Sequence, residues 1–261
     1  MSQQWWRFQT APNSTVGSMI IPEGIPAYDA MVMNERKYGK ANMRNIVLDP
    51  LWYYLFIRRH MNKPENVMLK ADEASEYSSK FSVAMYGLRQ LIGEDTLDKA
   101  LREFKDAYAF KRTGPFAGAN NLYSILQKHT PDSLRYYLTD TWEKIALYDN
   151  KIISARVKPT SNKDEYQVQL KFNINKEWMD SKGNYKPALN MNDYIDIAVY
   201  GQDTRDKNGR NTAHFSSIKR YGFTRGDHEL TITVKGKPKA VAIDPMAYLI
   251  DRNPNDNWKD L

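Results

Sequence analysis

Cysteine is absent from the 261-residue chain, and histidine is rare, with four residues. The absence of cysteine excludes disulfides, thiolate nucleophiles and every cysteine-ligated zinc site. The four histidines are His60, His129, His214 and His228, and no two of them stand at the i, i+4 spacing that places two zinc ligands on one helical face. We therefore interpret His60 and His129 as helix-end residues, and the other two as residues near strand ends.

Long apolar runs and clusters of like charge are missing as well. The longest apolar run covers residues 51–57, far fewer than the ~18 residues of a membrane-spanning helix. Lysine and arginine outnumber aspartate and glutamate by 38 to 31, which gives a net charge of +7, but the excess is spread over both halves of the chain. A nucleic-acid-binding surface concentrates its positive charge on one face or one helix, so we expect no nucleic-acid partner.

The first half of the chain has the apolar periodicity of helices. Residues 94–107 carry four apolar side chains at helical spacing with charges between them: Leu97, Ala100, Leu101 and Phe104. Residues 80–92 repeat the pattern and stop at Gly93, a residue type that commonly ends helices. The Thr-Pro-Asp start signal predicts another helix from about residue 132 to 146, and we expect Pro50 to break or restart a helix.

The second half changes to the periodicity of strands. In residues 166–174, five apolar side chains alternate strictly with polar ones, as in a strand with one buried face. Shorter runs of the same kind follow at residues 195–199, 230–234 and 241–243. Short strands with turn residues between them and no intervening helices predict an antiparallel β-sandwich. We therefore predict an α+β fold, with a helical domain over residues 1–149 and a β-sandwich domain over residues 150–261.

Two adjacent tryptophans in the segment QWW, residues 4–6, lie where chain ends are usually frayed and polar. This segment and EGIPAY at residues 23–28 resemble two landmarks of the aminopeptidase N-type zinc metallopeptidases, the gluzincins. In that family a helix carrying H-E-x-x-H continues into Q-W-W, and a glutamate in the context E-G-x-x-x-Y follows. Residues 80–110 resemble the helix pair beyond the family's active site. The phrases TDTWEKIALYDNK, MNDYIDIAVYG and LIDRNPNDN resemble the C-terminal ends of bacterial proteins that join an ABC-type transporter permease to such a peptidase domain.

The resemblance implies a catalytic zinc in the intact parent protein, which would hydrolyse N-terminal peptide bonds of a peptide substrate and lie in the bacterial inner membrane. It implies that Glu23 is a zinc ligand and that the hydroxyl of Tyr77 stabilises the developing oxyanion. The second histidine of H-E-x-x-H would fall at residue 3, where the sequence has Gln3, and the general-base glutamate would precede Met1. By this resemblance the chain is a truncated C-terminal piece, without its upstream peptidase and permease segments. We then expect the segment from Trp5 to about Met19 to be poorly packed or displaced.

Three residue assignments have alternatives. Counting back from Lys80 puts Ser78 in the family's tyrosine position, so either the helix there begins with an irregular turn or Tyr77 is a surface residue. Glu65 corresponds either to an acidic residue of the family or to a solvated loop residue. The aromatic segment 51–60 fits a membrane interface or a buried helix with a basic end, and we favour the buried helix.

The function itself has two interpretations. The chain is either part of a zinc aminopeptidase or part of a non-catalytic module of an ABC-type transporter permease that binds peptide or partner subunits. The residues upstream of Met1 in the parent gene discriminate between them, because an intact H-E-x-x-H there supports the enzyme.

We predict that the chain by itself holds no specific zinc at Glu23 and hydrolyses no aminoacyl anilide. One carboxylate cannot hold zinc in a site that normally takes two imidazoles besides, and the general base that would activate the water is also missing. Zinc content after dialysis, assayed alongside hydrolysis, checks this. Stoichiometric zinc that is lost in Glu23→Ala would contradict it, and His60 and His129 would then be the first ligands to test.

Overall fold

The structure is a computed structural model that describes residues 2–180 and 182–261. The chain forms two compact units. The helical unit comprises residues 2–34 and 49–146, and the β unit comprises residues 35–48 and 147–261. Residues 35–48 therefore belong with the strands, although they lie more than a hundred residues before the rest of that unit.

Helices dominate the first 145 residues. In chain order they are α1 (Ser2–Gln9), α2 (Gly24–Tyr38), α3 (Arg44–His60), α4 (Phe81–Ile92), α5 (Glu94–Tyr108), α6 (Ala119–His129) and α7 (Arg135–Leu138). Short 3-10 turns lie at Ser18–Ile20, Lys40–Asn42, Met68–Lys70, Asp132–Leu134 and Pro254–Asn257. Two π-helical turns lie at Ser75–Lys80 and Thr139–Glu143. Among the described residues, no helix is both long and apolar enough to cross a membrane.

The core of the helical unit is built around α4 and α5. Every residue of α4 from Phe81 to Leu91 is buried. The four apolar residues predicted to line one face of α5 are all buried, so its amphipathic pattern is confirmed. Gly93 joins the two helices at a φ of 88°, a conformation that glycine adopts without strain.

Two helix predictions were wrong. The helix expected over residues 132–146 is a 3-10 turn, the short α7 and a π-turn, and Ala146 already belongs to a strand. There the amide of Lys144 donates to the carbonyl of Thr139, five residues back, so the chain leaves the α-helical pattern before residue 146. Pro50 lies inside the continuous helix α3. Leu51 and Tyr54, in the turn that follows, are fully buried, and this packing offsets the ~3 kcal/mol cost of an internal proline.

The aromatic part of α3 is buried on one face only. Leu51 and Tyr54 face the core, whereas Trp52, Tyr53 and Phe56 are exposed. The prediction of a buried helix is therefore correct for one face of α3 and wrong for the other.

Strands make up most of the second half. They are β1 (Ala146–Tyr148), β2 (Lys151–Pro159), β3 (Glu165–Ile174), β4 (Lys176–Met179), β5 (Tyr185–Pro187), β6 (Asp193–Tyr200), β7 (Thr204–Arg205), β8 (Asn211–Thr212), β9 (Phe215–Phe223), β10 (Gly226–Lys235), β11 (Ala240–Ile243) and β12 (Trp258–Asp260). The sheets have the orders β10-β3-β2, β12-β11-β6-β9, β1-β4-β5 and β7-β8. The predicted α+β fold class is confirmed.

The sheet β10-β3-β2 and the sheet β12-β11-β6-β9 pack face to face. Alternate residues of β3 are buried, as predicted, and Phe172 of β3 meets Phe223 of β9 edge to face with ring centroids 5.2 Å apart. In β6 almost every residue is buried, which requires cover on both faces of the strand. On the second face, Ala198 and Tyr200 pack against Ala41 of the segment 35–48.

A buried carboxylate fixes the π-turn Ser75–Lys80 in the helical unit. Glu65 accepts hydrogen bonds from the Tyr54 hydroxyl at 2.6 Å, the Lys80 ammonium at 2.6 Å and the Arg58 guanidinium at 2.5 Å. Burial by itself would raise the pKa of Glu65, but Lys80 and Arg58 outweigh it and hold the pKa below its ordinary value of 4.5. The interpretation of Glu65 as a solvated loop residue is therefore wrong.

We expect Glu65→Gln to lower the free energy of unfolding at pH 7 by about 3–5 kcal/mol, because it leaves the Lys80 ammonium buried without its carboxylate. A carboxyl whose folded pKa is depressed stabilises the fold above its unfolded pKa, and this contribution disappears as the pH falls through the folded pKa. The difference between wild type and variant should therefore shrink below about pH 4.5 in urea unfolding followed by circular dichroism. Glu73→Gln, which removes an exposed carboxylate paired with Lys63, is the control and should cost less than about 1 kcal/mol. An equal loss in both variants would contradict the burial of Glu65.

Candidate functional site

Helix α1 is attached to the α2 region through two acidic residues. Ser2 and Trp6, four residues apart and therefore on one face of α1, both donate to the carboxylate of Asp29, Trp6 through its indole N–H at 2.9 Å. Burial raises the pKa of Asp29, and these two hydrogen bonds oppose the rise. Gln3 and Arg7 form the second i, i+4 pair and both point to Glu23.

The contact between Gln3 and Glu23 joins the two positions that the sequence resemblance assigns to metal ligands. The Gln3 side-chain amide Nε2 donates to Glu23 Oε2 at 2.9 Å, although the residues are 20 positions apart in sequence. The Arg7 guanidinium lies 3.5 Å from the other oxygen, Glu23 Oε1. Both carboxylate oxygens of Glu23 therefore face donors of this chain.

A groove of about 370 Å³ opens beside this contact. Its polar end is formed by Ser2, Gln3, Glu23 and Ser78. Its other side is formed by the α2 residues Pro26, Ala27, Ala30 and Met33. Met33 is one of the most exposed large apolar side chains of the helical unit, at 68%. The groove thus combines one carboxylate with a short apolar wall, which suits a small ligand or a chain end that has both characters.

Gly24 explains why the π-turn lies so close to α2. A Cβ atom at Gly24 would stand 2.4 Å from the carbonyl oxygen of Tyr77 and 2.6 Å from the ring of Phe81, so only glycine fits this approach. In the motif EGIPAY, Glu23 supplies the groove's carboxylate and Gly24 permits the close contact. Tyr28 is buried, and its hydroxyl makes no hydrogen bond to any described residue.

The π-turn is the irregular turn that the sequence left as one of two alternatives at Tyr77. A π-turn adds one residue to the helical ladder, which shifts the register by the one position in question. Ser78 lines the groove, whereas Tyr77 is half-buried and is not among the residues that form it. The catalytic role of Tyr77 stays a prediction.

The residues at the groove do not fit a complete zinc site. Across the described parts of the chain, no three histidine, aspartate or glutamate side chains converge on a point where a metal ion could bind. Of the residues at the groove, only Glu23 is a strong zinc ligand, since amide and hydroxyl groups bind zinc poorly. His60 and His129 are the last residues of α3 and α6, as predicted, and each contacts a group of its own neighbourhood: the carbonyl of Phe56 and the carboxylate of Glu103.

The prediction that the segment from Trp5 to about Met19 is poorly packed or displaced was wrong for Trp6. Only 8% of Trp6 is exposed, and its ring lies against Phe104 of the amphipathic helix α5, with centroids 6.5 Å apart. Trp5 is 45% exposed and touches Phe110 by its edge. The apolar face of α5 was recognised in the sequence, but that it receives Trp6 could not be inferred from local patterns.

Asp29 and Ser2 are site residues that the sequence analysis missed. The available signal was the paired spacing of Ser2 with Trp6 and of Gln3 with Arg7, which places four hydrogen-bonding side chains on neighbouring stripes of one short helix. That spacing indicates a site only when the acidic partners are known, and these partners lie 16 to 27 residues further along the chain.

We expect Trp6→Ala to lower the free energy of unfolding by about 3–5 kcal/mol, because it removes a buried aromatic ring and its hydrogen bond to Asp29. Trp5→Ala is the matched control on the same helix and should cost less than about 1 kcal/mol. Urea unfolding followed by circular dichroism measures both. Equal losses would show that α1 does not pack through Trp6.

No protein-family model matches the chain, and no curated protein matches it. The likeness to aminopeptidase N-type peptidases therefore rests on the quoted sequence motifs alone.

Proposed function

We propose that the chain is part of an aminopeptidase N-type, zinc-peptidase-like protein, and that the groove at Glu23 is where a peptide lies. The intact parent would hydrolyse N-terminal peptide bonds, and this chain alone would not. The proposal is supported mainly by the 2.9 Å hydrogen bond between Gln3 and Glu23. Two positions that the motif comparison pairs as metal ligands are neighbours in space, although the sequence separation of 20 residues does not require it.

The surroundings of this contact agree with the same proposal. In the family, a helix end, a glutamate and a turn before a Lys-containing helix meet at the active site. Here α1, Glu23 and the π-turn Ser75–Lys80 meet at one groove. The close approach permitted by Gly24 gives a physical reason for the glycine of the E-G-x-x-x-Y pattern.

A second candidate is a non-catalytic module of an ABC-type transporter permease that binds peptide or a partner subunit. The contacts of Glu23 favour it, because Gln3 and Arg7 already occupy both carboxylate oxygens. Glutamine also offers no imidazole nitrogen at the position where the family has histidine. Peptide binding by the metal-free chain that is lost in Glu23→Ala would favour this candidate.

The ligand geometry can be tested by placing an imidazole at residue 3. We expect Gln3→His to bind zinc at least about tenfold more tightly than the wild-type chain, a difference of about 1.4 kcal/mol, because two ligands of the family's set then face one point. The gain should vanish in the double variant Gln3→His, Glu23→Ala. Competition with a chromophoric zinc indicator measures the affinities.

Gln4→His is the matched control, because residue 4 is rotated by about 100° around the same helix. Gln3 and Gln4 are both exposed, so neither substitution disturbs the core. Equal zinc binding by the two histidine variants, or a gain that survives Glu23→Ala, would contradict the proposed ligand positions.

A further inference from the structure

The β unit contains a cavity of about 450 Å³ that is separate from the groove at Glu23. Among its lining residues are Arg44, Asn45, Leu48, Tyr200, Asn255 and Trp258. They come from the segment 35–48, from the end of β6, from the turn before β12 and from the first residue of β12, which all belong to the β unit. Its volume lies within the range of about 300–1,000 Å³ that is usual for small-molecule sites.

Among the described residues, Arg44 forms no salt bridge with a carboxylate, although Asp244 and Asp251 lie near enough to favour its charged form. Its Nη1 donates to the carbonyl of Asp244 at 3.1 Å and to that of Pro245 at 3.4 Å, and its Nη2 donates to the carbonyl of Pro254. A guanidinium has five N–H donors, so two are left after these three bonds. The carboxylate of Asp244 instead accepts the amides of Tyr248 and Leu249.

This cation is costly to hold in the fold without a ligand. Burial lowers the pKa of Arg44, because the charged form loses solvation, and the nearby Asp244 and Asp251 offset this only in part. Backbone carbonyls compensate part of that loss through their dipoles, but they carry no net charge. Charged groups removed from water are normally paired with an opposite charge, and a carboxylate matches the planar guanidinium better than any other protein group.

The rest of the lining is aromatic on one side and carries amides at the rim. Trp258 packs against Tyr200 with ring centroids 4.6 Å apart, and the Arg44 guanidinium lies 5.5 Å from the Trp258 ring. Asn45 and Asn255 are exposed, and their side-chain amides make no hydrogen bond within the described residues. A flat apolar group could lie on the rings while the two amides bind polar atoms beside it.

We propose that this cavity binds a carboxylate that is attached to a flat apolar group, as in an aromatic acid or the C-terminal residue of a peptide. The carboxylate pairs with Arg44, the apolar group lies against Trp258 and Tyr200, and the rim amides hold the neighbouring polar atoms. The proposal is independent of the function proposed for the groove at Glu23, because the two sites share no residue.

The test compares N-acetyl-phenylalanine with its uncharged amide, using the full chain and isothermal titration calorimetry. The acid should bind at least about tenfold more tightly than the amide, because only the acid carries a negative charge that can pair with the Arg44 guanidinium. A tetrapeptide that ends in phenylalanine distinguishes the sources: tighter binding than the single residue indicates a peptide C-terminus, and weaker binding indicates a small acid. Equal binding of acid and amide, or no binding of either, would overturn the proposal.

Two variants connect the binding to the cavity. Arg44→Gln should abolish the preference for the acid, but its loss of carbonyl contacts could also unfold the unit, so its circular dichroism is compared with wild type. Asn255→Ala changes an exposed rim residue and should weaken acid binding at least threefold with the fold intact. Asn208→Ala, in the exposed turn between β7 and β8, is the control and should leave the affinity unchanged. Unchanged acid binding in Asn255→Ala, together with a retained acid preference in folded Arg44→Gln, would exclude this cavity as the site.

Discussion

The helical unit depends on one buried carboxylate, that of Glu65. Its three donors come from α3 and from the last residue of the π-turn, so a single side chain connects a loop, a helix and a turn. Lys80 is 1% exposed, and its ammonium pairs with this carboxylate at 2.6 Å. Because Lys80 ends the π-turn, the same interaction fixes Ser78 at the groove and Tyr77 against Gly24.

The geometry of the groove depends on the interaction of Glu65 with Lys80 and on a second interaction, that of Asp29 with α1. Asp29 holds α1 through Ser2 and Trp6, and this leaves Gln3 and Arg7 facing Glu23 on the next stripe of the helix. A glutamine amide donates well to a carboxylate but is a weak zinc ligand. The structure therefore shows a satisfied polar contact at the point where the motif comparison places a metal.

The sequence predicted the structure correctly wherever the apolar residues of a whole helix or strand follow a single spacing. The α5 face and the buried face of β3 are visible as strict spacings of apolar residues, because each element packs through one face. It was a poor guide wherever a distant partner decides the outcome. The burial of Glu65 requires Lys80, the burial of Trp6 requires Phe104, and the π-turn at Tyr77 requires the close contact with Gly24. For the candidate site, Glu23 and the register problem at Tyr77 were recognised in the sequence, whereas Asp29, Ser2 and the contact of Gln3 were not.

The same reasoning applies to the β unit and its boundary. The change of apolar period predicts a domain boundary at residue 149. This boundary assigns residues 35–48 to the helical domain, whereas in the structure they belong to the β unit. Strand β6 is buried on both faces, and one of these faces, with Ala198 and Tyr200, packs against Ala41. Without residues 35–48 this face would meet water, and the carbonyls of Asp244 and Pro254 would lose the Arg44 guanidinium. A strand that is apolar on both faces must pack against other residues on each side. One face of β6 packs inside the sandwich, and the other packs against residues 35–48, from the first fifth of the chain.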